Sequence, residues 1–131
     1  MKNIDKILLI KNQLRKSEET IEDAKLAFEN KRYRNTLNRI YYAIFYTVCA
    51  LAIKYDFATS KHKQLMGWFN KNFIKEEIID RRFGEIYKKA YDNRQESDYD
   101  VIFDYDGNIV QSLLNEMEEF FVEIKKVIEE H

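Results

Sequence analysis

Residues 32–54 read RYRNTLNRIYYAIFYTVCALAIK, and this stretch decides the fold. Tyr33, Leu37, Ile40, Tyr41, Ile44, Val48, Leu51 and, just beyond, Tyr55 recur at spacings of three and four, the period of a helix. From Ile40 to Ile53 there are fourteen residues without a charge. A helix that is apolar nearly all round must be covered on several sides. A membrane span needs about 20 apolar residues, so the run predicts the central helix of a bundle, from Arg32 to Lys54. Tyr41, Tyr42 and Tyr46 then need partners for their hydroxyls wherever they are buried.

The flanking segments supply helices to surround it. Before it, Ile7, Leu14, Ile21 and Phe28 recur every seven residues, with Ile4 and Ala24 on the same side. That stripe predicts a first helix from Lys2 to Glu29. Its other face carries Lys11, Arg15, Lys16, Glu18, Glu19, Glu22 and Asp23, a solvated surface, and Asn30-Lys31 is the turn. After it, Thr59 or Ser60 is the expected cap of a short third helix, which ends near Phe73 and is anchored by Trp68, Phe69 and Phe73. A fourth helix is expected from about Lys75 to Asp98, with Ile78, Phe83, Ile86, Tyr87, Ala90 and Tyr91 inward. Asp98 to Asn108 reads as a loop closed by Asp106-Gly107. The last helix, Ile109 to Glu130, carries Val110, Leu113, Leu114, Met117, Phe121, Ile124 and Ile128 as its stripe.

There is no proline and there are three glycines, so few residues interrupt helices. No segment alternates like a strand. The expectation is an all-α, antiparallel up-and-down bundle of about five helices, forming one domain over residues 1–131.

The chain has 131 residues, 45% hydrophobic and 15% aromatic, enough for a real core. Net charge is −1, which gives no global electrostatic case for nucleic acid or for an acidic membrane; such a case must rest on local patches. The single cysteine, Cys49, excludes an intrachain disulfide and sits in the apolar run, where it reads as a small buried side chain. A reducing cytoplasm is the default compartment. The N-terminal apolar stretch is too short for a signal peptide.

Three groups of residues carry potential chemistry. Lys31, Arg32, Arg34 and Arg39 form a basic cluster interleaved with Tyr33, Tyr41 and Tyr42. Arginines fork onto phosphates and aromatic rings stack on unpaired bases, although a charged face over core tyrosines has the same composition. Arg39 abuts the apolar run, so it reaches toward the interior or a groove and needs a carboxylate or a ligand. Arg94 stands among Asp92, Glu96, Asp98 and Asp100, with Asp98 one turn on. This is either a helix-end salt bridge or an arginine oriented by Asp98 toward a phosphate. His62 opens the third helix, where the dipole favours a neutral ring and a bound anion. The acidic loop fails the calcium-loop pattern, because Ile102 and Leu113 stand where ligands are required. No Glu-x-x-His pair exists for a di-iron site. No metal and no cofactor is expected.

Taken in order, three stretches resemble the HEPN family, especially its small stand-alone prokaryotic members. Residues 33–45 are similar to its Asn-Arg-x-Tyr-Tyr-Ala signature, carried here by Asn38, Arg39, Tyr41, Tyr42 and Ala43. Ser60-Lys61-His62, followed by Trp68-Phe69 and Phe73, resembles the histidine that opens the next helix and the aromatic run after it. Arg94-Gln95-Glu96-Ser97-Asp98-Tyr99 resembles Arg-x-x-Ala-Asp-Tyr. The likeness covers about residues 17–130.

The resemblance implies a five-helix bundle that often homodimerises, and association with RNA or nucleotides. It also implies pairing with a small nucleotidyltransferase in toxin–antitoxin or defence systems. Ribonuclease members place a histidine four to six residues after the arginine; here Arg94 and Gln95 fit, but Tyr99 holds the histidine's place. Cleavage through a 2′-hydroxyl needs an acid or base that works near neutral pH, and a phenol with pKa near 10 suits this poorly. The expectation is therefore a binding protein without ribonuclease activity. Arg39, Tyr42, His62, Arg94, Asp98 and Tyr99 would form its ligand site. The alternatives are a metal-independent endoribonuclease using Arg94 with His62 or Tyr99, and a pure protein-interaction module.

Overall fold

The computed structural model describes residues 3–99 and 106–130, the side chains of 97–99 excepted. Five helices follow in order: α1 Asn3–Glu29, α2 Tyr33–Lys54, α3 His62–Phe69, α4 Arg81–Tyr99 and α5 Gly107–Glu130. A wide π-type turn, Asn70–Ile74, prolongs α3. No strand occurs among the described residues.

As its pattern demands, α2 is central and packs against α1, α3, α4 and α5. Tyr41, Ile44, Val48, Ala50 and Leu51 are sealed within it. By length and composition it is the one described helix apolar enough to cross a membrane, but 61% of its apolar window is buried by the other helices. The α1–α2 hairpin is held close by small residues, Ala24, Ala43 and Ala50, all buried. A sealed hydroxyl pair also locks it: Ser17 Oγ lies 2.7 Å from Thr47 Oγ1 and donates to the Ala43 carbonyl. Both hydroxyls are satisfied, so burial carries no orphan penalty.

The stripe on α1 is only partly core. Leu14 and Ile21 are buried, but Ile4 is 79% and Ile7 54% exposed. The cause is length: 27 residues against 22 in α2 leave about 7 Å, over a turn of α1, beyond the end of its partner. On α5 the fully buried ring is Phe120, and the expected Phe121 is half-buried.

The turns differ most from expectation. Lys31, Asp56 and Glu77 all have φ near +57° (56°, 57° and 58°). Each sits where a helix end usually places glycine. In each, the following amide reaches back five residues: Arg32 to Ala27, Phe57 to Ala52, Ile78 to Phe73. The reversal at Glu77 moves the start of α4 from Lys75 to Arg81 and turns Ile78 outward, while Ile79 takes the core position. Asp80 then caps α4, its carboxylate accepting the Arg82 amide at 2.8 Å. The residue capping α3 is Lys61, not Thr59 or Ser60; Thr59 Oγ1 instead accepts the Lys61 amide. Asp106-Gly107 opens α5 two residues early, with Asp106 Oδ1 accepting the Asn108 amide. Gly107 lies close to Tyr33: a Cβ there would be 2.9 Å from the tyrosine hydroxyl, so a larger residue would have to displace that ring's end.

Candidate nucleotide-binding site

The expected site residues stand on three helices. Arg39 and Tyr42 lie one turn apart on α2, His62 is the first residue of α3, and Arg94 is on α4. The fold brings these four together. Arg94 Nη2 donates to the Tyr42 hydroxyl at 3.2 Å, and its guanidinium carbon lies 5.4 Å from the centre of the Tyr42 ring and 5.7 Å from that of Tyr41. Arg39 approaches the same Tyr42 ring at 5.3 Å. Two guanidinium groups thus share one aromatic ring, an arrangement in which cation–π attraction holds each charge in place. Asp98 and Tyr99 lie on the backbone of α4, but their side chains fall outside the described residues.

Arg39 was expected to need a carboxylate or a ligand, and among the described residues its partner is a neutral amide. Its Nε and Nη2 both donate to Asn38 Oδ1, at 3.0 and 2.7 Å. A neutral amide fixes the fork without cancelling its charge, which leaves the guanidinium able to recruit an anion. Of the basic cluster, Arg39 joins these residues; Lys31, Arg32 and Arg34 are exposed at the start of α2.

His62 is held on two sides. Its ring stacks on Phe45 at 4.3 Å and 15°, and lies edge to face with Tyr42. Its Nδ1 is 2.7 Å from the Tyr41 hydroxyl. Nε2 has no hydrogen-bond partner among the described residues. Burial lowers the His62 pKa, and the Arg94 guanidinium lowers it further. Burial raises that of Tyr41, outweighing the pull of Arg94. Both groups are neutral near pH 7, so the direction of their hydrogen bond sets the imidazole tautomer.

Asn38 and Phe45 were not among the expected site residues, and Tyr41 was expected only as a ring interleaved with the basic cluster whose hydroxyl needs a partner. Asn38 is adjacent to Arg39, and its short amide was the available signal. For the Tyr41–His62 and Phe45–His62 pairs there was none, because the partners are on different helices. Gln95, next to Arg94, donates to the Tyr91 hydroxyl at 3.1 Å. Burial pushes the Cys49 thiol up to about 11 against the pull of Lys16, and so disfavours the thiolate. Among the described residues no three His, Cys, Asp or Glu side chains gather to hold a metal.

The architecture and this cluster meet in one comparison: the model of the HEPN domain matches residues 10–127. The chain belongs to the HEPN family. Relatives of similar length agree. A UPF0332 protein of Thermotoga maritima is 32% identical over 126 residues, covering 96% of each chain. "Putative toxin MJ0605" of Methanocaldococcus jannaschii is 34% identical over 114 residues, 87% of this chain and 84% of its own. A second protein of that organism, "Putative toxin MJ0142", is 30% identical over 115 residues. In this HEPN chain the pieces of the Asn-Arg-x-Tyr-Tyr-Ala signature have distinct tasks. Asn38 orients Arg39, Tyr41 anchors His62, and Tyr42 receives both arginines.

Proposed function

We propose that this HEPN protein binds RNA or nucleotides at the Arg39–Tyr42–His62–Arg94 cluster without cleaving them. The observation that carries this reading is the meeting of Arg39 and Arg94 on the Tyr42 ring. Two fixed guanidinium groups supply forked donors for phosphate oxygens, and the exposed parts of Tyr42 and His62 supply stacking surface for an unpaired base. Asp98 and Tyr99 belong to the same proposed site, Asp98 as the carboxylate that orients Arg94. The test is RNA and nucleotide affinity for the wild type beside Arg94→Ala. Unchanged affinity in the variant would refute the assignment.

One observation favours the second reading, a metal-independent endoribonuclease. His62 comes to rest beside Arg94 with no partner for Nε2 among the described residues, so a histidine supplied by α3 could act in the place Tyr99 occupies in the motif. The tautomer with Nδ1–H donating to Tyr41 would leave Nε2 as a base. Cleavage of RNA that is lost in His62→Ala would establish that reading.

The names of the two M. jannaschii relatives, each a "Putative toxin", fit membership of a toxin–antitoxin pair; a small nucleotidyltransferase as partner and a symmetric homodimer as the working assembly are proposed from the family resemblance. Co-purification with the product of a neighbouring nucleotidyltransferase gene, and the mass of the pure protein in solution, test these two points.

A further inference from the structure

We infer that the binding surface continues one turn along α2 into a second stacking subsite, Tyr46 with Lys16. Its ligand is then a single-stranded RNA of at least two nucleotides and not a mononucleotide. This rests on the reading of the Tyr42 cluster as a nucleotide site and extends it.

Tyr46 follows Tyr42 by four residues, so both rings emerge from the same side of α2. Their centres are 5.9 Å apart and their planes are tilted by 37°. Both are half-buried. The pairing of tyrosine and cation seen at Tyr42 is repeated: Lys16, from α1, places Nζ 4.4 Å from the centre of the Tyr46 ring. Lys16 makes no ion pair with any described carboxylate. Lys25, further along α1, is bound to Glu118 at 2.9 Å. Both neighbouring rings therefore carry a cation, Lys16 at Tyr46 and Arg39 and Arg94 at Tyr42, although the whole chain carries a net charge of −1.

The spacing selects the ligand. Stacked nucleotides rise by about 3.4 Å along a strand, so rings 5.9 Å apart do not match a stacked helix. They match a strand whose bases are splayed onto separate platforms, the mode by which proteins hold single strands. A base arriving at Tyr46 takes the ring face that Lys16 covers. The flexible lysine stem then lets Nζ move to the phosphate joining that nucleotide to the one at Tyr42.

The experiment compares uridine monophosphate with labelled uridine dimers, trimers and tetramers, binding each to the full chain without metal. Affinity should rise by about tenfold or more from the monophosphate to the oligomers, the gain of one stacked base. Tyr46→Ala and Lys16→Gln should remove that gain while leaving the monophosphate unaffected, and Tyr46→Phe should keep it. Arg94→Ala should weaken every ligand. Oligomers that bind no tighter than an Arg94-dependent monophosphate would overturn this inference alone. So would a Tyr46→Phe variant as defective as Tyr46→Ala. Binding of neither ligand would overturn the nucleotide site itself.

Discussion

The Tyr41 hydroxyl and His62 Nδ1 lie 2.7 Å apart, joining the sealed interior of α2 to the first residue of α3. Tyr41 is fully buried, so its ring cannot move, and its hydroxyl fixes the histidine's plane and its protonation pattern. Tyr41→Phe keeps the packing and removes that bond. Stability should fall by about 1 kcal/mol, the net worth of one hydrogen bond, and the histidine should lose its fixed tautomer. Denaturant midpoints and the ring nitrogen resonances of His62 would report both. An unchanged nitrogen spectrum would show that Phe45 alone orients the ring.

The lowered pKa of His62 makes stability depend on pH. The folded chain takes up this proton less readily than the unfolded one, so below the ordinary value of 6.5 the unfolded state binds more protons. The contribution of the neutral ring is present above pH 6.5 and is lost as pH falls through that value toward the lowered one. Urea midpoints should therefore drop between pH 7.5 and 5 more steeply in the wild type than in His62→Gln. Equal slopes would remove His62 as the cause.

The phosphate role of the arginines has a salt signature. Each of Arg39→Ala and Arg94→Ala should weaken RNA binding and reduce the slope of log affinity against log salt by about one. A variant that weakens binding without changing the slope has lost shape and not a phosphate contact. Titrations at several salt concentrations distinguish the two.

The core placement on α5 is tested by neighbours in sequence. Phe120→Ala empties a fully buried site and should destabilise by about 3–5 kcal/mol. Phe121→Ala, at a half-buried position, should cost well under half of that. Comparable losses in thermal unfolding would contradict the register of α5.

Helix number, the central place of α2 and most of the core were legible because α2 is apolar nearly all round and must be covered on several sides, while the spacing on α5 marks a single buried stripe. The turns were less so. Glycine is the usual mark of a helix reversal, yet here Lys31, Asp56 and Glu77 adopt the left-handed conformation, and no side-chain signal announces it. Missing the reversal at Glu77 put the start of α4 too early and Ile78 inside. The same gap makes a prediction: Glu77→Gly should relieve a strained φ and stabilise by up to about 1 kcal/mol, read as a higher urea midpoint. At the site, the residue types at 39, 42, 62 and 94 were legible through a family resemblance. Their convergence was not, since it depends on how α3 and α4 lean on α2. Periodicity along one helix carries no information about which turn of another it faces.

The most direct test mixes the pure protein with labelled structured and unstructured RNAs, without metal, and scores binding and cleavage together beside Arg94→Ala and His62→Ala. The wild type should bind RNA, Arg94→Ala should weaken that binding, and every RNA should be left intact. Cleavage by the wild type that disappears in His62→Ala would contradict this and make His62 the catalytic histidine of a ribonuclease.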